Sequence, residues 1–433
     1  SGPMRFWNQA METMAPEEMR RLREERLIKL VDWAYRKTPF YRRRLDEAGV
    51  KPSDIRGIDD IYKIPVTTKE ELCQSQKMHP PFGDYVVDPG RISRTYWSTG
   101  TAGRPTLMGV SRSEAEYWDE VIARNLWEVG LRPGDSFYHA TQLSGFAGGF
   151  SFLTVANKMG ANVIPAGAGQ SERHLTLLAS LRPSFVKILP SYALYLAELA
   201  LKLGMNLKDF GVRRLFLSAE PLPDSLRARL EEVWGAEAYD SYGLSDVGQP
   251  QAFECQERSG LHDIPDWNLT EILDPETKEP LPPGKEGVLV YTNLVRRTMP
   301  IIRFFTNDIS AWKDFAPCPC GRPSARIERV MRRADAVRKV KGVNLWPSAA
   351  QAIIEEFQEL TGNFRLIIEA PEGRDRIKLT AEWRGDCDPA LIRDRLHKRL
   401  SEALFINFDE IELVPFGTLE KSDHKEGFII DKR

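Results

Sequence analysis

The sequence predicts an α/β fold: a large N-terminal domain of layered sheets and helices, then a small α+β domain. Three features predict it. Residues up to about 90 carry helical spacing, and the middle of the chain alternates short apolar runs with amphipathic stretches. The last roughly one hundred residues run helix–strand–strand–helix–strand. At ~100–200 residues per domain, 433 residues allow two or three domains. The second unit begins near Arg333, which divides the chain into 1–333 and 334–433.

Taken in order, Met19 to Arg36 sets Leu22, Leu27, Leu30, Val31 and Ala34 at mixed three- and four-residue spacing among charges, as in a helix. Pro39 and Pro65 punctuate the next stretch, and Thr67-Thr68-Lys69-Glu70 reads as a cap and a helix start. Strand-like runs fall at 136–140, 162–164, 185–189, 214–218 and 237–242. Helical patterns at 113–129 and 225–234 lie between them, and this alternation predicts a largely parallel sheet. Around 272–291 the pattern becomes hairpin-like, with turns at Asp274-Pro275 and Pro282-Pro283-Gly284. The uncharged run from Ala140 to Asn157, broken by Ser144, Gly145, Gly148, Gly149 and Ser151, reads as buried loop and strand. In the second unit a helix near 345–356 precedes strands at 364–369 and 377–383, a helix at 389–404 and a strand at 410–415.

Composition excludes several classes. Hydrophobic residues at 42% and charged residues at 28% exclude a disordered or fibrous chain. Lys+Arg 60 against Asp+Glu 62 leaves a net charge of −2, which argues against nucleic acid or another polyanion as the main partner. Five cysteines, two of them one residue apart, argue against a disulfide framework and for a reducing compartment. No segment reads as a signal peptide or as a span of ~20 apolar residues, so a soluble cytoplasmic protein is expected. Ser1-Gly2-Pro3 ahead of Met4 reads as a protease-cleavage scar.

The segment Ser98-Thr99-Gly100-Thr101-Ala102-Gly103-Arg104-Pro105-Thr106 combines small and hydroxyl residues, two glycines and a cation. Amides and hydroxyls of such a loop can surround phosphate oxygens, although the GxxxxGK[ST] spacing is absent. A solvated turn is the plain alternative. Cys255, His262, Cys318 and Cys320 form a second constellation. Their residue types suit a closed tetrahedral Cys₃His site of the structural zinc kind, against a plain reading of free thiols and a histidine. Cys73 and Cys387 have no partner pattern, and no GxSxG, HExxH or GxGxxG signature supports a hydrolase or dinucleotide enzyme.

Six collinear segments resemble one family. STGTAGRPT is similar to its phosphate loop, and Ser218-Ala219-Glu220-Pro221 to its adenine-side GAEP. Asp240-Ser241-Tyr242-Gly243-Leu244-Ser245-Asp246 resembles D-x-YGLSE, and Thr306-Asn307-Asp308 the ribose-binding TGD or HDD. Arg333-Ala334-Asp335-Ala336, followed by Lys341-Gly342-Val343-Asn344-Leu345-Trp346-Pro347-Ser348, resembles the hinge GRADD…RGVNVFPS. Gly417 to Lys425 is similar to GSLPRSEGK. On these residues the chain resembles the phenylacetate–CoA ligase family of the adenylate-forming enzymes, over nearly its whole length.

The resemblance implies a chemistry. A carboxylate is a poor acyl donor, and coupling it to AMP supplies a leaving group that a thiol can displace. Bringing that anion to the α-phosphate demands cations and fixed donors. Ser98, Thr99, Gly100, Thr101 and Gly103 would hold the β,γ-phosphates of ATP, and Asp308 the ribose hydroxyls, with Arg333 close to the nucleotide. Asp246 replaces the family's glutamate as the Mg²⁺ ligand, one methylene shorter. Lys425 would contact the α-phosphate and carboxylate oxygens during adenylation, with Lys421 as understudy because His424 replaces the family's glycine. The small domain would be a mobile lid. A hinge at Arg333–Asp335 would withdraw Lys425 and present Lys341, Gly342 and Asn344 to the pantetheine arm of coenzyme A. Some family members carry a zinc site with similar CPCG text.

The acyl pocket is implied to be aryl or arylacetic, around Thr141 to Phe150. There Phe146 aligns with the family's phenylalanine, while His139, Gln142 and Ser144 add polarity that suits a hydroxy-, amino- or heteroaryl acid. Two other readings stay open: loading of the acid onto a carrier-protein thiol, and a non-catalytic regulatory homologue. For oligomeric state, a homodimer is the default assembly.

Overall fold

The computed structural model describes residues 4–98, 106–143, 145, 147–334, 338–345, 347–419 and 428–433, the side chains of Asn344 and Ser348 excepted. The chain divides into two compact units, Ser1–Pro165 with Tyr239–Arg329, and Ala166–Ala238 with Val330–Arg433.

The first unit opens with helices. Pro16–Lys37 starts with Pro16, Glu17 and Glu18 and ends with Arg36 and Lys37, which matches its charges to the helix dipole. It buries Met19, Leu27, Leu30, Val31 and Ala34. Thr38 then caps Pro39–Glu47, and Thr68 caps Lys69–Met78 through a reciprocal box with Glu71. The antiparallel pair Ile92–Trp97 and Leu107–Ser111 places Trp97 opposite Leu107, and Ser98 N donates to Thr106 O at 3.1 Å. That pair fixes both ends of the segment 99–105.

The strands Ser136–His139 and Asn162–Ile164 pair in parallel. Between them the expectation of loop and strand is corrected, because Ala147–Lys158 is a helix. Its glycines look like breakers in sequence, but they are packing residues. A Cβ on Gly149 would stand 2.3 Å from the carbonyl oxygen of Gln142, so only glycine permits this approach. Tertiary packing overrides the low helix propensity. The strands on which the parallel expectation rests pair in parallel where they are described, here and in the second unit, and the later strand pairs of this unit are antiparallel. The end of Glu237–Tyr242 pairs with Ala252–Phe253, which pairs with Leu261–Asp263, itself paired with Arg326–Ile327. Asn268–Leu273, Gly287–Asn293 and Phe304–Ser310 form an antiparallel meander, with the hairpin where the sequence predicts one.

In the second unit, Phe185–Ile188 and Arg214–Ser218 pair in parallel, with helices Pro190–Lys202 and Asp224–Trp234 beside them in sequence. The C-terminal part has a four-stranded sheet in the order Glu410–Pro415, Arg376–Trp383, Leu360–Glu369, Ile429–Asp431. The central pair is antiparallel and both edges are parallel. Helices Pro347–Glu355 and Pro389–Leu404 contribute Ile353, Ile354, Ile392, Leu396 and Leu400 to its core. Sequence patterning missed the edge strand Ile429–Asp431 and the hairpin Arg338–Val340 with Val343–Leu345, each only three residues per strand. Among the described residues no helix is long and apolar enough to cross a membrane.

Candidate functional site

In the first unit three segments converge on one carboxylate. Asp246 Oδ1 accepts from the Thr106 hydroxyl at 2.6 Å, and Oδ2 takes an ion pair from Lys69 Nζ at 2.8 Å. The same ammonium donates to the hydroxyls of Ser98 and Thr106, which are 2.7 Å from each other. The Asp246 main-chain carbonyl accepts from Arg296, a fully buried guanidinium. Lys69 is held in place from below: Thr67 N donates to Arg303 O at 2.7 Å and Phe305 N to Thr67 O at 2.8 Å. Sequence reasoning read Lys69 only as part of a helix start. A signal was present, because Lys69 is the first helical residue, where the dipole favours an acid and a cation needs a separate reason.

The aspartate expected at ribose lies in the same unit. Asp308, on Phe304–Ser310, is buried, and the hydroxyl of Tyr242 donates to its Oδ2 at 2.6 Å. Burial first, and the Asp308 charge next, push the Tyr242 phenol well above its ordinary range, so it stays a donor. Ser241 Oγ accepts from Asn125 at 3.1 Å, and Asp240 accepts from the Ser241 N–H at 2.9 Å. Gly243 sits where a Cβ would fall 2.2 Å from Cβ of Gln249, which explains the glycine after Tyr242. His139 is buried at the end of its strand, with Nε2 at 3.2 Å from Gly148 O and Nδ1 at 3.2 Å from the Thr141 hydroxyl. Gln142 is exposed.

The second unit holds Ser218, Ala219, Glu220 and Pro221. Ala219 has φ of 74°, a left-handed conformation that costs an alanine of order 1 kcal/mol and commonly marks a functional turn. Glu220 reaches the N-terminus of Pro190–Lys202, accepting from Ser191 N at 3.0 Å and Ser191 Oγ at 2.8 Å. An acid there meets both orphan amides and the positive end of the dipole, and it ties the turn down. Lys187, buried on Phe185–Ile188, donates to Ser218 Oγ at 3.3 Å, and burial lowers its amine to about 7. Sequence analysis did not single it out.

Arg333 is half-buried on the short strand Arg332–Arg333. Lys341 and Gly342 form the two-residue tip of their hairpin, with φ of 51° and 79°, as a type I′ turn requires. Lys341 Nζ pairs with Asp409 at 2.8 Å, and its N–H donates to Asp375. Asn344 pairs with Lys339 in that hairpin. Thr99, Gly100, Thr101, Gly103, Phe146, Asp335, Lys421 and Lys425 lie outside the described residues.

The Cys₃His constellation does assemble. Ligand atoms of Cys255, His262, Cys318 and Cys320 all lie within 4.8 Å of one another, and all four residues are buried. Cys255 and Cys318 sulfurs are 3.7 Å apart, and Cys320 Sγ is 3.4 Å from His262 Nε2. Zinc–sulfur and zinc–nitrogen bonds of about 2.3 and 2.0 Å in a tetrahedron need separations near these. His262 Nδ1 faces Ser324 Oγ at 2.9 Å, which aims Nε2 at the sulfurs. Without a metal, the hydrogen bond between Cys255 and Cys320 holds the Cys320 thiol low and raises that of Cys255. The donor set fits a closed zinc site.

Residues 50–294 match the AMP-binding enzyme family, and residues 342–433 the AMP-binding enzyme C-terminal domain. Over 374 residues, 86% of this chain and 83% of the relative, the sequence is 36% identical to the phenylacetate-coenzyme A ligase of Thermus thermophilus. The chain belongs to the phenylacetate–CoA ligase family of adenylate-forming enzymes. It is also 30% identical over 431 residues to the phenylacetate-coenzyme A ligase of Pseudomonas putida, 98% of this chain and 96% of that one. Among solved structures, 2-hydroxyisobutyryl-CoA ligase in the postadenylation state with 2-HIB-AMP is similar at a TM-score of 0.92 and 31% identity, covering 100% of this chain and 94% of that one. The same ligase in the thioesterification state, with 2-HIB-AMP and CoA, matches at 0.74 with the same identity and coverage. Family membership accounts for the order of the motifs; the Lys69 contacts add a cation that the motif text does not name.

Proposed function

We propose that the chain is an ATP-dependent, AMP-forming acid–CoA ligase whose acid is aryl or arylacetic. One observation carries the reading: Asp246 meets Ser98 and Thr106, which flank the phosphate-loop segment, and Lys69 in a single hydrogen-bonded set. A nucleotide triphosphate is the ligand that needs hydroxyls, a cation and a metal-binding carboxylate together. In this reading Ser98 and residues 99–103 take the β,γ-phosphates, and Asp308 takes the ribose. By the family motifs, Ser218–Pro221 is assigned to the adenine, and Asp240–Gly243 is assigned to the nucleotide. Asp246 would hold Mg²⁺, which neutralises phosphate charge when bound. Its shorter arm and the Lys69 pair suit a water-bridged ligand as well as a direct one. Lys425 serves adenylation, and the Lys341–Asn344 tip serves coenzyme A. Residues 334–433 act as the lid, and the Cys₃His set holds a structural zinc.

AMP release is the test, with ATP and Mg²⁺, with and without CoA, across aryl, arylacetic and small 2-hydroxy acids. CoA-dependent AMP formation with an aryl or arylacetic acid is expected. A preference for 2-hydroxy acids would replace the substrate class, in keeping with what the similar 2-hydroxyisobutyryl-CoA ligase structure binds by name. Pyrophosphate exchange without any CoA-dependent turnover would favour a carrier-protein acceptor.

A further inference from the structure

Arg229, on helix Asp224–Trp234, is 8% exposed and makes four hydrogen bonds inside the second unit. Its guanidinium donates to the main-chain carbonyls of Glu355 at 3.1 Å, Phe357 at 3.3 Å and Leu360 at 2.9 Å, and to Glu198 Oε1 at 3.0 Å. The carbonyl acceptors run from the end of helix Pro347–Glu355, through Phe357 in the connection, to the start of strand Leu360–Glu369. Carbonyls at a helix C-terminus lack intrahelical donors and sit at its negative end, so a fork of N–H groups with a positive charge suits them.

Glu198 is 3% exposed and takes a second cation, Arg384, just beyond strand Arg376–Trp383. Arg384 N in turn donates to Glu359 O at 3.0 Å. Around this hub Gly362, with φ of 90°, packs on Leu194, whose Cδ2 a Cβ would approach to 2.8 Å. Tyr195 stacks on Phe416 with centroids 5.6 Å apart and planes at 11°. The Arg229 bonds to main-chain carbonyls, the Glu198–Arg384 pair, the Gly362–Leu194 contact and the Tyr195–Phe416 stack all join residues 194–229 to residues 355–416, two stretches remote in sequence.

Nothing in the ATP or acyl chemistry uses these residues. A buried arginine whose bonds go to main-chain carbonyls of a remote segment holds that segment in place. We propose that Arg229, braced through Glu198 against Arg384, is a docking latch that holds residues 355–416 of the C-terminal domain against residues 194–229 in the arrangement used for adenylation. Its release then controls passage to thioester formation. The proposal rests on the acid–CoA ligase reading with a moving lid. Arg229 is a positioning residue: it touches no reacting atom.

The test separates the half-reactions of the full-length protein. Acid-dependent ATP–pyrophosphate exchange reads adenylation, and acyl-CoA formation from supplied acyl-adenylate and CoA reads transfer. Arg229→Met should lower exchange about tenfold and leave transfer unchanged or faster, since the ligand-free population shifts from the latched state. Arg384→Gln spares the buried fork and should act in the same direction by about threefold, which keeps the test open if the first variant folds poorly. A parallel fall of both half-reactions in Arg384→Gln, or no change in either, overturns the latch while leaving the ligase reading intact. A wild-type protein inactive in both half-reactions with every acid would overturn the ligase reading and the latch with it.

Discussion

The ammonium of Lys69 stands 2.8 Å from the carboxylate of Asp246, and both are largely shielded from solvent. The pair joins the first turn of a helix near the N-terminus to the residue expected to bind the metal. It therefore puts a cation beside the phosphates of any nucleotide held by Ser98 and its neighbours. Replacing it with Lys69→Met should lower pyrophosphate exchange about 10²-fold, the cost typical of losing one fixed charge-stabilising group. Lys69→Arg should recover part of that loss. Equal rates for wild type and Lys69→Met would show that the pair is only structural.

The zinc reading has a readout independent of turnover. Metal analysis of the purified protein should give one zinc per chain. Cys320→Ser should abolish it and lower the melting temperature by at least about 5 °C, because a metal that binds the folded form adds its binding energy to stability. The cluster ties the loop after Ala252–Phe253 to the Cys318–Cys320 turn, so the loss should appear as stability rather than as a changed acid preference. Zinc-free protein with an unchanged melt would reduce the cluster to four packed side chains.

Glu355 gives a pH prediction. Burial pushes its carboxyl up to about 8, against an ordinary 4.5, with Gln351 as a donor to Oε1 at 2.9 Å and the Glu220 charge adding to the rise. The folded state keeps the proton, while the unfolded chain loses it near 4.5. The group's stability contribution is therefore whole below about pH 4.5 and is lost as pH rises through about 8. Each unit of difference is worth about 1.4 kcal/mol, so the total is on the order of a few kcal/mol. Glu355→Gln stays neutral throughout. Its melting temperature should match wild type at pH 5 and exceed it by several degrees at pH 8.5; an equal offset at both pH values would contradict the assignment.

The legibility of each feature in the sequence depends on how local its signal is. Caps, helix faces and hairpin turns are written within a few residues, so the helix start at Thr67–Glu70 and the Asp274 turn are readable directly. The helix Ala147–Lys158 is not, because its glycines answer to the carbonyl of Gln142, a neighbour that no helical pattern reveals. The motif residues Asp246, Tyr242 and Asp308 are legible as text, and the structure supplies the Tyr242–Asp308 bond. Lys69, Lys187 and Arg229 escape because a lone lysine or arginine in sequence is ordinarily solvated, and only tertiary burial gives it a task. The Cys₃His set is legible because thiols and imidazole in that grouping have few other uses.

Lys425 lies outside the described residues, and its prediction comes from the family motif and the charge problem of the reaction. As the acid's carboxylate approaches the α-phosphate, negative charge concentrates between them, and a cation present only then lowers the barrier. Once acyl-adenylate has formed, the thiol attacks a carbonyl that no longer carries that charge, so the same lysine has nothing to neutralise. Lys425→Ala should therefore cut pyrophosphate exchange by about 10³-fold while acyl-CoA formation from supplied acyl-adenylate stays near wild type. Lys421→Ala is the control: if it shows the larger loss of exchange, the role moves to Lys421, because His424 in place of glycine has altered the loop. Loss of both half-reactions to the same degree in Lys425→Ala would mean that the residue supports the fold of the loop and not the charge of the transition state.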